Sequence, residues 1–539
     1  MGLISYNGDP PQLIKKSYVF TCEYPTQPST IKKGSSVKLT GSLKDVQINE
    51  IIPSCNRVEI KISISRFEKE LEGVFPPLFA LLPHAIINTK TVSQSIERVS
   101  QSWLENESIP PALRDFINRS APNLVGFRNG EKLPDGQDIV SCKDIVSKME
   151  STTLCIQGPP GAGKTYLASH LINHLLKQGK KIGITSNSHD AIFNLITGCT
   201  KDANTNYKVV KVGGDKNNPI LLTNEKIVLA STSEKASSEY EGGLIGGTAW
   251  FFSREDMQER LDYLFIDEAG QVSVANLVAI SQCTKNLVLI GDQNQLQQPL
   301  KGSHPGKSGY SLLDYYLEGH SVIPKDKGIF LRTTWRMHPE ICEFISTSFY
   351  NKKLLAHPDN KKRSILPPKT QGSLINKYEG IVFVPVEHLG NSRDSAEEAN
   401  AAIKVFEELQ DLVTTNEKGE KRTLTINDFL FIAPYNVQVS RLREALPANA
   451  RVGSVDRFQG QEAKVVIITL GTSYGESSPR GIQFLLNKNR VNVAISRAQI
   501  LTIIIGDPRL ATNPAHTVSE MECLNLMAKM TNIELTSVG

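Results

Sequence analysis

The sequence predicts an α/β chain in which two parallel-sheet series follow a small antiparallel β element. From about residue 150 onward, short apolar strands alternate with helical patterns, the arrangement that builds parallel sheets with helical crossovers. A Gly/Ser/Lys-rich stretch at 301–309, with the segment running to Lys327, divides that alternation into two series. The first 65 residues instead alternate polar and apolar side chains, with turn residues between the runs.

In order along the chain, 17–21, 36–39 and 58–62 read as strands of a small β-barrel over 1–65. Residues 66–136 form a helical stalk and connector, with an amphipathic helix at 92–105 and a Pro/Gly-rich end at 126–136. The first α/β domain, 137–310, carries strands at 154–157, 181–185, 208–212, 226–230, 262–266 and 286–290. The second, 311–539, carries strands near 329–331, 381–385, 429–433, 464–470 and 501–505.

Bulk properties narrow the function. Apolar residues make up 40% and charged residues 22%, a globular composition. The net charge is only +4, so a nucleic-acid site has to be a local groove rather than a global field. The run Lys352, Lys353, Lys361, Lys362 and Arg363 is a candidate patch, with a solvated loop as the competing reading. Eight cysteines contain no Cys-x-x-Cys pair, which argues against zinc and iron–sulfur sites. No apolar stretch reaches the ~18–20 residues of a membrane span, and no secretory h-region opens the chain. These features predict an intracellular protein, cytoplasmic ahead of nuclear, with no membrane partner.

Gly158, Pro159, Pro160, Gly161, Ala162, Gly163, Lys164 and Thr165 form a P-loop between a buried strand and a helix, with Tyr166 next in line. Phosphate binds there because a helix N-terminus offers unpaired N–H groups and a positive dipole end. Lys164 is expected on the β- and γ-phosphates and Thr165 on Mg²⁺, the cofactor that accompanies ATP. An apolar strand ending in Asp267-Glu268 supplies a second Mg²⁺ ligand, Asp267, and a general base, Glu268. Gln295, after another buried strand, is placed to sense the γ-phosphate or the attacking water. Phosphoryl transfer needs positive charge on the developing γ-oxygens, for which Arg336 and Arg497 are the candidates.

With these segments on the page, the chain resembles the superfamily 1B helicases, in the branch of the nonsense-mediated-decay RNA helicase and the DNA replication helicase/nuclease. The resemblance rests on eight ordered segments: GPPGAGKT, TSNSHDAIFNL, FIDEAGQ, GDQNQL, TTWRMHP, APYNVQ, VDRFQGQE and NVAISRA. It implies two RecA-like P-loop NTPase domains with ATP in the cleft between them. It places Gln137 and Trp335 on the adenine, with a core tryptophan as the alternative for Trp335. It puts Glu462 on the ribose, and Gln459 and Gly460 between ATP and the strand. Ser186, Asn187, His189, Ser231, Thr232, Ser233, Tyr435 and Gln438 become candidate strand contacts, against loop capping as the plainer reading of the hydroxyl residues. The segment Leu296-Gln297-Gln298-Pro299 departs from the commoner Leu-Pro-Pro pattern.

The implied activity is ATP-driven 5′→3′ movement of a monomeric motor along single-stranded nucleic acid, with DNA ahead of RNA. An RNA helicase or RNA–protein remodelling translocase is the alternative, followed by an ATPase switch or scaffold. The early onset of the barrel strands raises the expectation of a further N-terminal region or partner.

Overall fold

The computed structural model describes residues 1–531 except 26, 28–30, 41–44, 53–54, 84–87, 202–206, 216–217, 220, 222–223, 299–303, 369–373 and 475–480. Pro299 and the start of the dividing stretch 301–309 lie outside the described residues. The chain separates into two compact units, Met1–Asn88 and Thr89–Gly539.

The first unit is an eight-stranded antiparallel sheet. Along it run Leu78–Phe79, Ile4–Ser5, Ser17–Glu23, Arg57–Ser63, Asp45–Ile52, Ser36–Leu39 and Leu81–Pro83, with Gln12–Ile14 paired to Ser17–Glu23. Alternation turns Val58, Ile60 and Ile62 inward against Phe20, Leu39 and Ile48. Each such aliphatic side chain contributes about 1.5–3 kcal/mol by leaving water. The small β element expected over 1–65 runs on past that bound. The two end strands lie beyond residue 65, and no ladder joins them to each other among the described residues. Only Ala80 separates them, so one short stretch of chain pairs with both Ile4–Ser5 and Ser36–Leu39, and the sheet curls round on itself.

In the second unit, helix Lys90–Asn106 supplies the expected amphipathic stalk. It docks on helix Val274–Ile280, where Ser95 Oγ donates to Ala279 O at 2.6 Å. The sheet beneath has eight parallel strands in the order Ile227–Ala230, Val209–Val212, Leu244–Gly246, Ile182–Thr185, Leu261–Ile266, Thr284–Gly291, Thr153–Gln157 and Gly328–Phe330. Helices cover both faces, so the central strands are continuous apolar runs such as Leu287 to Ile290, all buried. Gly328–Phe330, expected to open the second series, instead closes this first sheet beside the P-loop strand. The reason is steric: a Cβ on Gly328 would lie 2.3 Å from the Cys155 carbonyl oxygen, so only glycine allows this pairing.

A second all-parallel sheet runs Gly380–Pro385, Ala498–Gly506, Ala463–Thr469, Phe429–Ile432 and Val452–Gly453. The two sheets are the RecA-like α/β pair that the sequence implies. The seven cysteines other than Cys55 are buried, and all eight are free. No helix among the described residues is long and apolar enough to cross a membrane.

Candidate active site

The loops beginning at Gly158, Ser186, Ser231, Asp267 and Asp292 all leave the carboxyl ends of first-sheet strands, the edge where open α/β sheets bind ligands. Gly161 and Gly163 hold φ values of 71° and 83°, which let the P-loop curl before helix Lys164–Lys177. Lys164 Nζ donates to Gly158 O at 2.9 Å. A Cβ on Gly158 would stand 2.3 Å from Lys164 Cγ, so glycine is what lets the lysine fold across the loop. Pro159, Pro160 and Ala162 are buried beneath it, whereas Thr165 and Tyr166 are exposed.

Around Lys164 gather three acidic side chains. Asp267 is 6% exposed; burial and the adjacent Glu268 push its carboxyl up, against the pull of Lys164. Glu268 holds φ at 52°, a left-handed backbone that costs a non-glycine residue about 1–2 kcal/mol and that clusters at functional sites. Asp292 is buried and accepts hydrogen bonds from Gln295 Nε2 at 2.9 Å and Tyr350 Oη at 2.6 Å. Burial raises its carboxyl too, again opposed by Lys164.

Two arginines beyond the first sheet contribute the positive charges. Arg336 follows the short strand Thr333–Thr334 and lies directly against the P-loop: a Cβ on Gly161 would be 2.6 Å from Arg336 Cβ. Its Nε donates to Glu462 Oε2 at 2.5 Å and its Nη1 to Ser496 O at 3.1 Å. Glu462 also accepts from Gln499 at 2.8 Å; burial favours its neutral form, but Arg336 and these bonds hold it below the usual carboxylate range. Arg497 is 3% exposed and donates to two backbone carbonyls, Val493 O and Gln461 O, each at 3.1 Å. No ion pair joins it to a carboxylate among the described residues. Burial and the neighbouring Arg336 disfavour its charge, and Glu268 and Glu462 favour it. A guanidinium cannot escape by losing its proton, so this is a buried charge short of anionic partners.

Beside the P-loop lies a cavity of about 500 Å³ lined by Gln137, Gly161, Gly163, Tyr166, Leu331 and Trp335. Trp335 is 57% exposed and stacks on His357 at 4.0 Å, so it is not the core tryptophan that was the alternative reading. Gln137 reaches the Thr333 hydroxyl on the same wall.

The candidate strand contacts divide. Ser186 is buried and its hydroxyl has no hydrogen-bond partner among the described residues. Asn187 is exposed and donates to Gln271 O. His189 opens helix His189–Thr200. Thr232 caps helix Ser233–Glu239 by accepting from Lys235 N at 3.1 Å, with Ser231 exposed beside it. Gln438 and Tyr435 need correction. Gln438 is fully buried, and its amide bridges both backbone groups of Ser395. Tyr435 is 7% exposed in the second-sheet core, its ring against Phe484. Neither side chain is presented to a strand at the surface. Sequence reasoning missed Tyr350, Asn489, Asn492 and Lys211; of these only Asn492 lies in a quoted motif segment, NVAISRA, where the role had gone to Arg497.

Two family models, each described as an AAA domain, match residues 136–306 and 309–509. Full-length comparison finds mov-10-B.1 of Danio rerio, 25% identical over 532 residues, covering 90% of this chain and 51% of that one. It also finds the DNA replication ATP-dependent helicase/nuclease dna2 of Schizosaccharomyces pombe, 26% identical over 382 residues, covering 65% and 26%. Regulator of nonsense transcripts 1 of Dictyostelium discoideum is 25% identical over 464 residues, covering 76% and 33%. The chain belongs to the superfamily 1 helicases. Members of this superfamily are ATP-dependent enzymes, nucleoside-triphosphate hydrolases, and the P-loop and Asp267-Glu268 pair described above are the parts that class requires. The chain spans about half the length of the first of these relatives and about a quarter of the second.

Proposed function

We propose that this chain couples ATP hydrolysis to 5′→3′ movement along single-stranded nucleic acid, with DNA ahead of RNA. The observation that carries the reading is the buried, carboxylate-free guanidinium of Arg497 facing the cleft that holds Lys164, Asp267 and Glu268. An ATP γ-phosphate there supplies the anion that Arg497 lacks, and joins the two sheets through one ligand. Lys164 leaves Gly158 O for the phosphates, and Arg336 and Arg497 stabilise the charge that develops on the transferred group. Glu268 takes the proton of the attacking water. Trp335 and Gln137 hold the base in the 500 Å³ cavity.

The residues present fit Mg²⁺. Asp267 is a buried carboxylate beside the hydroxyl-bearing P-loop, a cation's natural neighbour. Among the described residues no cluster of three or more His, Cys, Asp or Glu side chains is arranged to hold a metal alone. Asp267, Thr165 and the nucleotide's own phosphates would hold the ion. When bound, Mg²⁺ neutralises charge on the phosphate oxygens.

The test is the ATPase rate alone, with single-stranded DNA and with single-stranded RNA, at two salt concentrations, followed by unwinding of tailed duplexes. Stimulation by DNA and unwinding from a 5′ tail support the proposal. Stimulation by RNA alone moves the substrate to RNA. No stimulation by either leaves an ATPase switch.

A further inference from the structure

Strand Val209–Val212 carries a lysine at a position where a parallel strand covered on both faces normally carries an aliphatic residue. Lys211 is fully buried, and no carboxylate pairs with it among the described residues. Its ammonium places one bond on each of three acceptors: Val212 O at 2.7 Å, Gly213 O at 2.9 Å and His189 Nδ1 at 2.9 Å. The charge also lies 5.0 Å from the centre of the Phe193 ring. The turn Gly213–Gly214 packs on the imidazole, and a Cβ on Gly213 would be 3.2 Å from His189 Cε1. Both glycines have positive φ, so the ring lies on bare backbone.

An ammonium has three donors and no acceptor, so His189 Nδ1 has to be the accepting, unprotonated nitrogen. That leaves the ring's single proton on Nε2. We infer that Lys211 is a positioning residue for the nucleic-acid strand: it fixes His189 as a neutral Nε2–H donor, backed by a sequestered positive charge at a helix N-terminus, for a backbone phosphate. The inference rests on the proposed role of the segment 186–189 in gripping the strand. Two neighbouring groups act on the ring, Lys211 and Asp190. Burial, then Lys211, lower its proton affinity, and Asp190 opposes them. Burial brings the Lys211 ammonium itself down to about 8, so it is charged at neutral pH.

The experiment is the affinity for a fluorescent single-stranded oligonucleotide from about pH 5.5 to about pH 7.5, around the ordinary histidine value, for the unaltered protein, Lys211→Met and His189→Ala. The unaltered protein should show no contribution from His189 titration. Lys211→Met should bind roughly tenfold or more weakly at the upper end. It should recover toward the lower end, where the released imidazole takes a proton and meets the phosphate as a cation. Parallel pH profiles for the unaltered protein and Lys211→Met overturn the inference, because a merely structural lysine would shift affinity without changing its pH dependence. Unweakened binding by His189→Ala instead sinks the strand-gripping role of this segment. Should Lys211→Met fail to fold, nitrogen-15 NMR of the unaltered protein decides: an Nε2–H tautomer at His189 supports the assignment and an Nδ1–H tautomer overturns it.

Discussion

Tyr350 donates a 2.6 Å hydrogen bond to Asp292, and both side chains are buried. Asp292 follows strand Thr284–Gly291 of the first sheet, whereas Tyr350 caps helix Pro339–Phe349, which packs on the second. Asn492 Nδ2 donates to Tyr350 Oη at 2.9 Å and to Asn294 O at 2.7 Å. Asn489 Nδ2 adds bonds to Gln293 O at 2.9 Å and Gln295 O at 2.6 Å. The loop 292–295 is thereby tied to helix Lys488–Ile495, which leads into Arg497.

Tyr350→Phe should therefore act on both stability and turnover. It takes one donor from a buried carboxylate, which costs about 1–3 kcal/mol. Urea unfolding measures that loss. Strand-stimulated kcat should fall with little change in KM for ATP, and an unchanged kcat would show that the link carries no signal.

Trp335→Ala should raise KM for ATP roughly tenfold, since stacking on a base is worth about 1–3 kcal/mol. The side chain is more than half exposed, so the melting temperature should hardly move. A large loss of stability with unchanged KM would assign the ring to packing instead.

Arg497→Met should lower kcat by roughly 10³-fold. It should leave the nucleotide-free protein as stable as before or more so, because it removes a buried charge without a carboxylate partner. Steady-state ATPase and thermal melts together test this opposition. A variant that loses stability and keeps kcat contradicts the finger assignment.

Glu268→Gln should keep nucleotide binding and lose hydrolysis by roughly 10²–10⁴-fold, the usual worth of a positioned base. Fluorescent-nucleotide titration beside the ATPase assay separates the two effects.

His388 is buried between Glu398 Oε1 at 2.8 Å and Ser473 Oγ at 2.7 Å. Among the described residues His388→Ala leaves the buried Glu398 carboxylate with the Leu470 and Gly471 amides alone, and should cost about 3–5 kcal/mol in urea unfolding. A loss below 1 kcal/mol would mean that the carboxyl is already neutral in the folded protein, consistent with the upward push that burial gives it.

Much of this architecture is legible in the sequence because parallel strands covered on both faces are unbroken apolar runs between turn residues. The runs at 182–185, 261–266 and 284–291 needed nothing more. Leu244–Gly246 and Val452–Gly453 are too short to stand out, and their pairing partners decide them. Gly328–Phe330 reads correctly as a strand but not as a member of the first sheet, since membership depends on a close approach to Cys155 that only three dimensions reveal. The same limit applies to the site. Lys164, Asp267 and Glu268 belong to local motifs, whereas Tyr350 and Lys211 draw their interest from partners 58 and 22 residues away. Gln438 illustrates the converse: its place in a motif pointed to a strand, and its burial against Ser395 makes it a brace.

The contact between Gly161 and Arg336 has a mechanical consequence. The P-loop and the arginine segment already touch without room for one methyl group, since a Cβ on Gly161 would stand 2.6 Å from Arg336 Cβ and 2.7 Å from Thr334 Oγ1. Any larger residue at 161 would act as a wedge, holding the jaws of the cleft ajar and shortening the stroke from the closed end.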